Sequence, residues 1–168
     1  MKRLLLIAFV CLFSTIHAQN NVSIINEEFN DISIPNGWYT TGNGANNWYV
    51  SQSFSAGGKP NEMQLSWSPQ FSGISRLVSP AVDLTNITNA MMSLDHYVAL
   101  FGNTGATIGV ATSSDDGVTW NSVWSEKYTE TNKQYSVVES ISGPDMGKSD
   151  VRYCIYFEGS SSAIQSWY

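Results

Sequence analysis

Few side chains in this chain could do chemistry. Glu27, Glu28, Asp95 and Glu126 offer carboxylates, His96 an imidazole, Cys154 a thiol, and Asp115 with Asp116 a pair of adjacent acids. Glycoside hydrolysis needs two carboxylates at a fixed separation, one of them kept protonated by its surroundings. The four carboxylates provide that raw material without a motif that would pair them. A Ser-His-Asp site would have to use His96, since His17 lies in the N-terminal leader, and no serine sits in a G-x-S-x-G elbow. His96 stands mid-run among apolar residues and is expected as a hydrogen-bonded core histidine. One histidine and one cysteine fall short of a zinc ligand set. Cys154 alternates with its neighbours in Val151 to Phe157 and is expected to pack as a small apolar residue on a sheet face rather than to act as a nucleophile.

The most informative stretch is Ser113-Ser114-Asp115-Asp116-Gly117-Val118-Thr119-Trp120, which fits the Asp-box pattern S-x-D-x-G-x-T-W. The Asp115 side chain can accept hydrogen bonds from nearby amides, Gly117 can take positive φ, and Thr119 and Trp120 open a strand. Every role in the pattern is filled by building a hairpin. Asp115, Gly117 and Trp120 are therefore assigned to a structural turn, and Asp115 and Asp116 to turn-building before ion binding.

Calcium takes several oxygen ligands in irregular geometry. Glu27 and Asp95 are the candidate metal ligands on that chemistry, set against the plainer reading of solvated edge charges. Six Trp and eight Tyr supply stacking surfaces for sugar rings. Trp38, Trp48, Trp120 and Trp124 are expected in the core, whereas Trp67, Tyr49 and Phe54, near polar loops, are the candidate ligand-binding aromatics.

The elements that must position these residues are strands. Short alternating or apolar runs recur at 22–29, 47–52, 62–67, 75–84, 90–100, 107–112, 118–124, 135–141 and 151–157, separated by Gly, Asn and Pro, with no sustained helical period. Both sides of the 90–100 run are fairly apolar, which predicts a strand inside a sheet. The pattern predicts an all-β jelly-roll β-sandwich with little helix outside the leader. Gly-rich polar loops at 40–46, 53–60 and 68–73 sit where such folds present ligand-facing loops.

Residues 1–18 read as a secretory signal peptide: Lys2 and Arg3, the apolar run Leu4 to Phe13, and a cleavage site at Ile16-His17-Ala18. That run is too short to span a bilayer. Its removal takes Lys2 and Arg3 from the eight basic residues, leaving six against 14 acidic, a net charge of −8. Such a balance repels phosphate backbones and disfavours nucleic acid and anionic membranes as partners. It suits calcium or a neutral glycan. Cys11 leaves with the leader, so Cys154 has no internal disulfide partner. Residues 19–168 are expected to form one β-sandwich domain. The run Ser162 to Tyr168 reads as the start of a strand, and a closing strand beyond it is expected.

The ordered set Asn26-Glu27-Glu28-Phe29, Ile34-Pro35-Asn36-Gly37-Trp38, Asn46-Asn47-Trp48, Arg76 to Leu84, Ser93-Leu94-Asp95-His96-Tyr97 and the hairpin at 113–120 resembles the cleaved-adhesin, or choice-of-anchor J, domain of secreted Bacteroidetes proteins. The resemblance implies a jelly roll related to MAM-like and galactose-binding-like domains, exported to the cell surface or beyond and joined to neighbouring domains. It also implies structural calcium between the first and last strands, with Glu27 aligning best with the family's early acidic position and Asp95 as a second candidate. The family's downstream acidic residues, which follow a Trp-Tyr pair like Trp167-Tyr168, do not occur in this sequence. The function expected is non-catalytic adhesion or ligand binding, to a host surface protein or glycan. The alternative is an ancillary domain of a secreted protease or glycan-degrading enzyme.

Overall fold

The computed structural model describes residues 24–102 and 105–168; the leader at 1–18 lies outside them. Among these residues ten antiparallel strands form two five-stranded sheets. Sheet A is ordered β1 (Tyr39–Gly42), β4 (Ser72–Val78), β9 (Arg152–Ser160), β6 (Ala106–Ser113), β7 (Asn121–Tyr128). Sheet B is ordered β2 (Trp48–Ser51), β3 (Glu62–Ser66), β10 (Ile164–Trp167), β5 (Ala90–Leu100), β8 (Lys133–Ile141). The only helical turns among the described residues are single 3-10 segments at Ala45–Asn47 and Ser161–Ala163. This is the all-β jelly-roll sandwich that the alternating runs predict.

Strand periodicity decides which side chains meet between the sheets. Leu77, Ile108, Ile155 and Phe157 from sheet A face Trp48, Leu65, Val98, Ile164 and Trp167 from sheet B in one continuous core. Aromatic edges lock it: Trp48 meets Trp167 at 5.4 Å between ring centroids, and Phe71 meets Phe157 at 5.7 Å. The 90–100 run is β5, paired on both sides as expected of an interior strand. Beyond Tyr97 toward its N-terminus, only β8 pairs with it.

Four expectations need correction. The run at 22–29 is irregular over its described part, 24–29, because Phe29 takes φ 53° and turns its ring against Trp38 at 5.1 Å instead of extending. Residues 40–42, read as part of the 40–46 loop, join Tyr39 in β1 by pairing with β4 from Tyr39–Val78 to Gly42–Ser75. The 75–84 run stops as a strand at Val78, where Pro80 cannot donate to a ladder, and continues only as the bridge Val82–Val151. The strand after the Asp-box motif begins at Asn121, not at Thr119, since the turn spends Thr119 on Asp115.

Candidate functional site

The outer face of sheet B carries a row of tyrosines. Trp48, Leu65, Trp167 and Val98 point into the core, so their neighbours Tyr49, Gln64, Tyr168 and Tyr97 point outward. Register places them side by side: Tyr49 pairs with Gln64, Tyr168 follows the Trp167–Leu65 pair, and Tyr97 pairs with Gln134. Tyr97 and Tyr168 exchange both backbone hydrogen bonds, at 2.9 and 3.0 Å, and their rings meet edge to face at 6.1 Å. The row Tyr49, Gln64, Tyr168, Tyr97, Gln134 thus crosses the whole sheet, one residue per strand. At about 4.8 Å between strands it is about 19 Å long. Burial and the neighbouring Tyr168 raise the Tyr49 hydroxyl above its ordinary pKa, keeping it a neutral donor.

The rest of this face is hydroxylic: Ser51, Ser66, Ser93, Ser136, Ser140 and Ser166 stand at outward positions. Of its two carboxylates, Asp95 is exposed and Glu62 is engaged. Glu62 accepts the amides of Ser55 (2.7 Å) and Ala56 (2.8 Å), while Gln134 Nε2 donates to the Ala56 carbonyl at 2.6 Å. The β2–β3 loop is thereby strapped across the face beside the tyrosine row. At the opposite ends of β3 and β5, Trp67 and Phe101 meet edge to face at 5.7 Å, both exposed. A face of rings, amides and hydroxyls with little charge can stack on and hydrogen-bond a neutral polyol.

Sheet A presents a different outer face. Val78, Ala111 and Cys154 point outward there yet are buried, because Trp120, Tyr156 and Ile74 fold over them. Trp120, expected in the main core, is the anchor of this second cluster: the Asp-box turn delivers it back onto sheet A. Burial pushes the Cys154 thiol up to about 12, so it is an inert packing residue.

The turn itself is a closed network. Ser113 Oγ accepts from the Gly117 amide at 2.9 Å and donates to Asp115 at 2.8 Å, and Asp115 accepts from the Thr119 amide at 2.9 Å and its hydroxyl at 2.5 Å. Those bonds, Thr119's first, hold the Asp115 carboxyl down at about 2. Gly117 takes φ 85°, as its place in the turn requires. Asp116 pairs with Arg152 at 2.7 Å. No sequence signal marked Asp145, which lies within the Gly143–Gly147 turn. It is 3% exposed and accepts from Thr112 Oγ1 (2.6 Å) and Asn121 Nδ2 (2.9 Å), tying that turn to the base of the Asp-box hairpin.

The sequence-predicted residues fall in separate places. Tyr49 lies in the tyrosine row, Trp67 flanks it with Phe101, and Phe54 is exposed on the strap. Tyr97, Tyr168, Gln64 and Gln134 were not singled out: their alternation was visible, but which strands lie beside each other was not. Glu27 accepts from the Phe29 amide at 2.7 Å, and Asp95 stands exposed opposite Ser136. Among the described residues no group of three His, Cys, Asp or Glu side chains is gathered that could hold a metal. Glu126 accepts from Tyr128 at 3.1 Å. His96 is buried between Tyr135, stacked at 5.3 Å, and Tyr128, whose hydroxyl lies 3.2 Å from Nε2; burial drops its pKa to about 4.

No protein-family model matches this chain, and no curated protein matches it. Solved structures do. A family 61 carbohydrate-binding module in complex with β-1,4-galactotriose is similar with TM-score 0.54 and 15% identity, over 83% of each chain. A structure from a study of promiscuous carbohydrate-binding modules of the β-sandwich superfamily is similar with TM-score 0.58 and 13% identity, over 84% of this chain and 57% of that one. An arabinose-bound family 51 α-L-arabinofuranosidase is similar with TM-score 0.57 and 17% identity; 86% of this chain matches 24% of the enzyme. The likeness shows the fold, a jelly-roll β-sandwich of the kind these carbohydrate-binding modules have. Among the described residues no helix is long and apolar enough to cross a membrane.

Proposed function

We propose that this chain is a non-catalytic glycan-binding module of an exported, multidomain surface protein, and that it takes a neutral polysaccharide across the outer face of sheet B. The observation that carries the reading is the row Tyr49, Tyr168, Tyr97, interleaved with Gln64 and Gln134 on a nearly uncharged serine-rich face. Tyrosine rings offer apolar area to the faces of sugar rings at low entropic cost, and their hydroxyls with the exposed serines answer the hydroxyl edges, while Gln64, 8% exposed, and Gln134, bonded to Ala56, back the row. The sheet B face itself carries little charge, which suits a neutral chain.

The resemblance to cleaved-adhesin domains supports export through residues 1–18, attachment to neighbouring domains and an adhesive role at the cell surface. Calcium between Glu27 and a late strand belongs to the same proposal. A rise in melting temperature with added calcium, lost in Glu27→Gln, would support it; an unchanged melting curve would remove it.

The glycan reading is tested by affinity electrophoresis in gels containing β-1,4-galactan, xylan or arabinan. Retardation by at least one neutral polysaccharide is expected, weakened about tenfold by Tyr97→Ala, equivalent to about 1.4 kcal/mol. Unretarded migration in all three gels, or retardation untouched by alanine at Tyr49 and Tyr97, would refute it.

A further inference from the structure

The outer face of sheet A holds an arginine without a carboxylate partner among the described residues. Arg76 on β4 forms none of the ion pairs found among the described residues, and its Nε is buried without a hydrogen-bond partner. Its guanidinium lies over the Trp120 ring at 5.5 Å, and the Cys154 thiol beneath feels it as a neighbouring cation. Trp120 thus offers its ring face to the guanidinium. Opposite Arg76 in register is Tyr156, whose ring covers Gly109; a Cβ there would stand 2.4 Å from the ring. Tyr156 OH lies 3.2 Å from Ser122 Oγ, and Thr41 of β1 pairs with Arg76 on its other side.

The charge of the chain is partitioned accordingly. Of the six basic residues after the leader, Arg76, Lys127 and Arg152 all occupy outward positions of sheet A. Arg152 is paired with Asp116 and lies over Tyr39 at 5.6 Å, so it stabilises the face internally. Glu158 also stands on this face, two residues along β9 from Tyr156, and is outside ion-pairing distance of Arg76. With Nε buried, the Nη end of this half-buried guanidinium is the part that can take a planar oxyanion in a bidentate fork. Thr41 stands beside Arg76 in register, and the Tyr156 and Ser122 hydroxyls lie further along the same face, which suits a sugar carrying that oxyanion.

We infer that sheet A is a second binding face, for an acidic glycan, and that Arg76 receives the carboxylate of a uronic acid residue. The two faces divide the work: sheet B takes neutral chains and sheet A a charged one. This inference stands independently of the sheet B reading, because no residue is shared.

Affinity electrophoresis of the intact chain in polygalacturonate and in its fully methyl-esterified counterpart tests it. Retardation is expected in polygalacturonate, weaker as salt rises, and absent in the ester, whose capped carboxyl carries no charge. Arg76→Gln abolishes the retardation, and Arg76→Lys, which keeps the charge and loses the fork, weakens it at least fivefold. Retention of neutral glycans by Arg76→Gln stays at the parent level. Equal retardation by acid and ester, no retardation by polygalacturonate, or full binding by Arg76→Lys would each overturn the inference. If the glutamine variant does not fold, the lysine variant and the ester comparison still decide.

Discussion

Gly109 is placed where a side chain has no room, and replacing it by alanine turns that statement into a measurement. An alanine Cβ at this position would lie 2.4 Å from Tyr156 Cζ, 2.5 Å from its hydroxyl oxygen and 2.6 Å from Cε1. Ordinary carbon contacts begin near 3.5 Å, so the ring must move by about 1 Å. Tyr156 is 8% exposed and wedged among Val78, Ala111 and Cys154, which leaves it little slack. Overpacking of this kind costs about 1–3 kcal/mol. Against that, alanine is favoured over glycine in a strand by about 0.5–1 kcal/mol, and the backbone of Gly109 is not in the left-handed region. The net expectation for Gly109→Ala is a loss of about 1–2 kcal/mol, or roughly 2–8 °C in a domain of this size. Tyr156→Val removes the far ring atoms that clash, so in that background Gly109→Ala should become stabilising by about 0.5–1 kcal/mol. Urea unfolding followed by tryptophan fluorescence on the four members of this cycle gives the coupling directly. If the two substitutions add within about 0.5 kcal/mol, or Gly109→Ala alone raises stability, the Tyr156 ring does not rest on Gly109 and the account of sheet A's face is wrong.

Three further outcomes are expected. His96 is neutral in the fold, with its pKa lowered to about 4 by burial, and about 6.5 when unfolded. The unfolded chain therefore binds more protons between those values, so this stabilisation is complete above pH 6.5 and is lost as pH falls toward 4. The loss amounts to about 3 kcal/mol, and the slope should flatten in His96→Phe when melting is followed against pH. Asp145→Ala leaves the buried Thr112 hydroxyl and the Asn121 amide without their acceptor and should cost about 1–3 kcal/mol for each, measured by urea unfolding; a neutral result would contradict the tie between the turn and the hairpin. The Thr119 amide donates to Asp115, so its NMR shift should titrate with a midpoint of about 2, and a midpoint near 4 would mean that the turn network is not formed.

Much of the fold was legible in the residues. Alternation alone bounded β5 at 90–100, because both of its faces carry a period of two, and Gly117 with Asp115 marked the hairpin through its own local bonding. Elements that depend on distant partners were not legible. β1 has a polar, threonine- and glycine-rich sequence and is a strand only because β4 supplies its ladder. Phe29 breaks an apparent strand because Trp38 folds back against it. The candidate site shows the same division. Tyr49 could be singled out by its place between polar loops, but Tyr97 and Tyr168 acquire meaning only beside it. They are 48 and 119 positions further along the chain, on strands that the topology brings into one row. Asp145 carried no local signal at all, since its partners Thr112 and Asn121 lie on another hairpin.

The sequence by itself determined the all-β class, the Asp-box turn, the acidic balance and the surplus of aromatic side chains. Each of these is a matter of composition or of contacts within a few residues, which local sterics and hydrogen bonding settle without reference to the rest of the chain. Only the tertiary structure decided that one sheet shows an open tyrosine row while the other is covered by Trp120 and holds Arg76. Strand order and register are set by burial of two inner faces against each other, so the identity of neighbours on the outer faces follows from a packing choice made elsewhere.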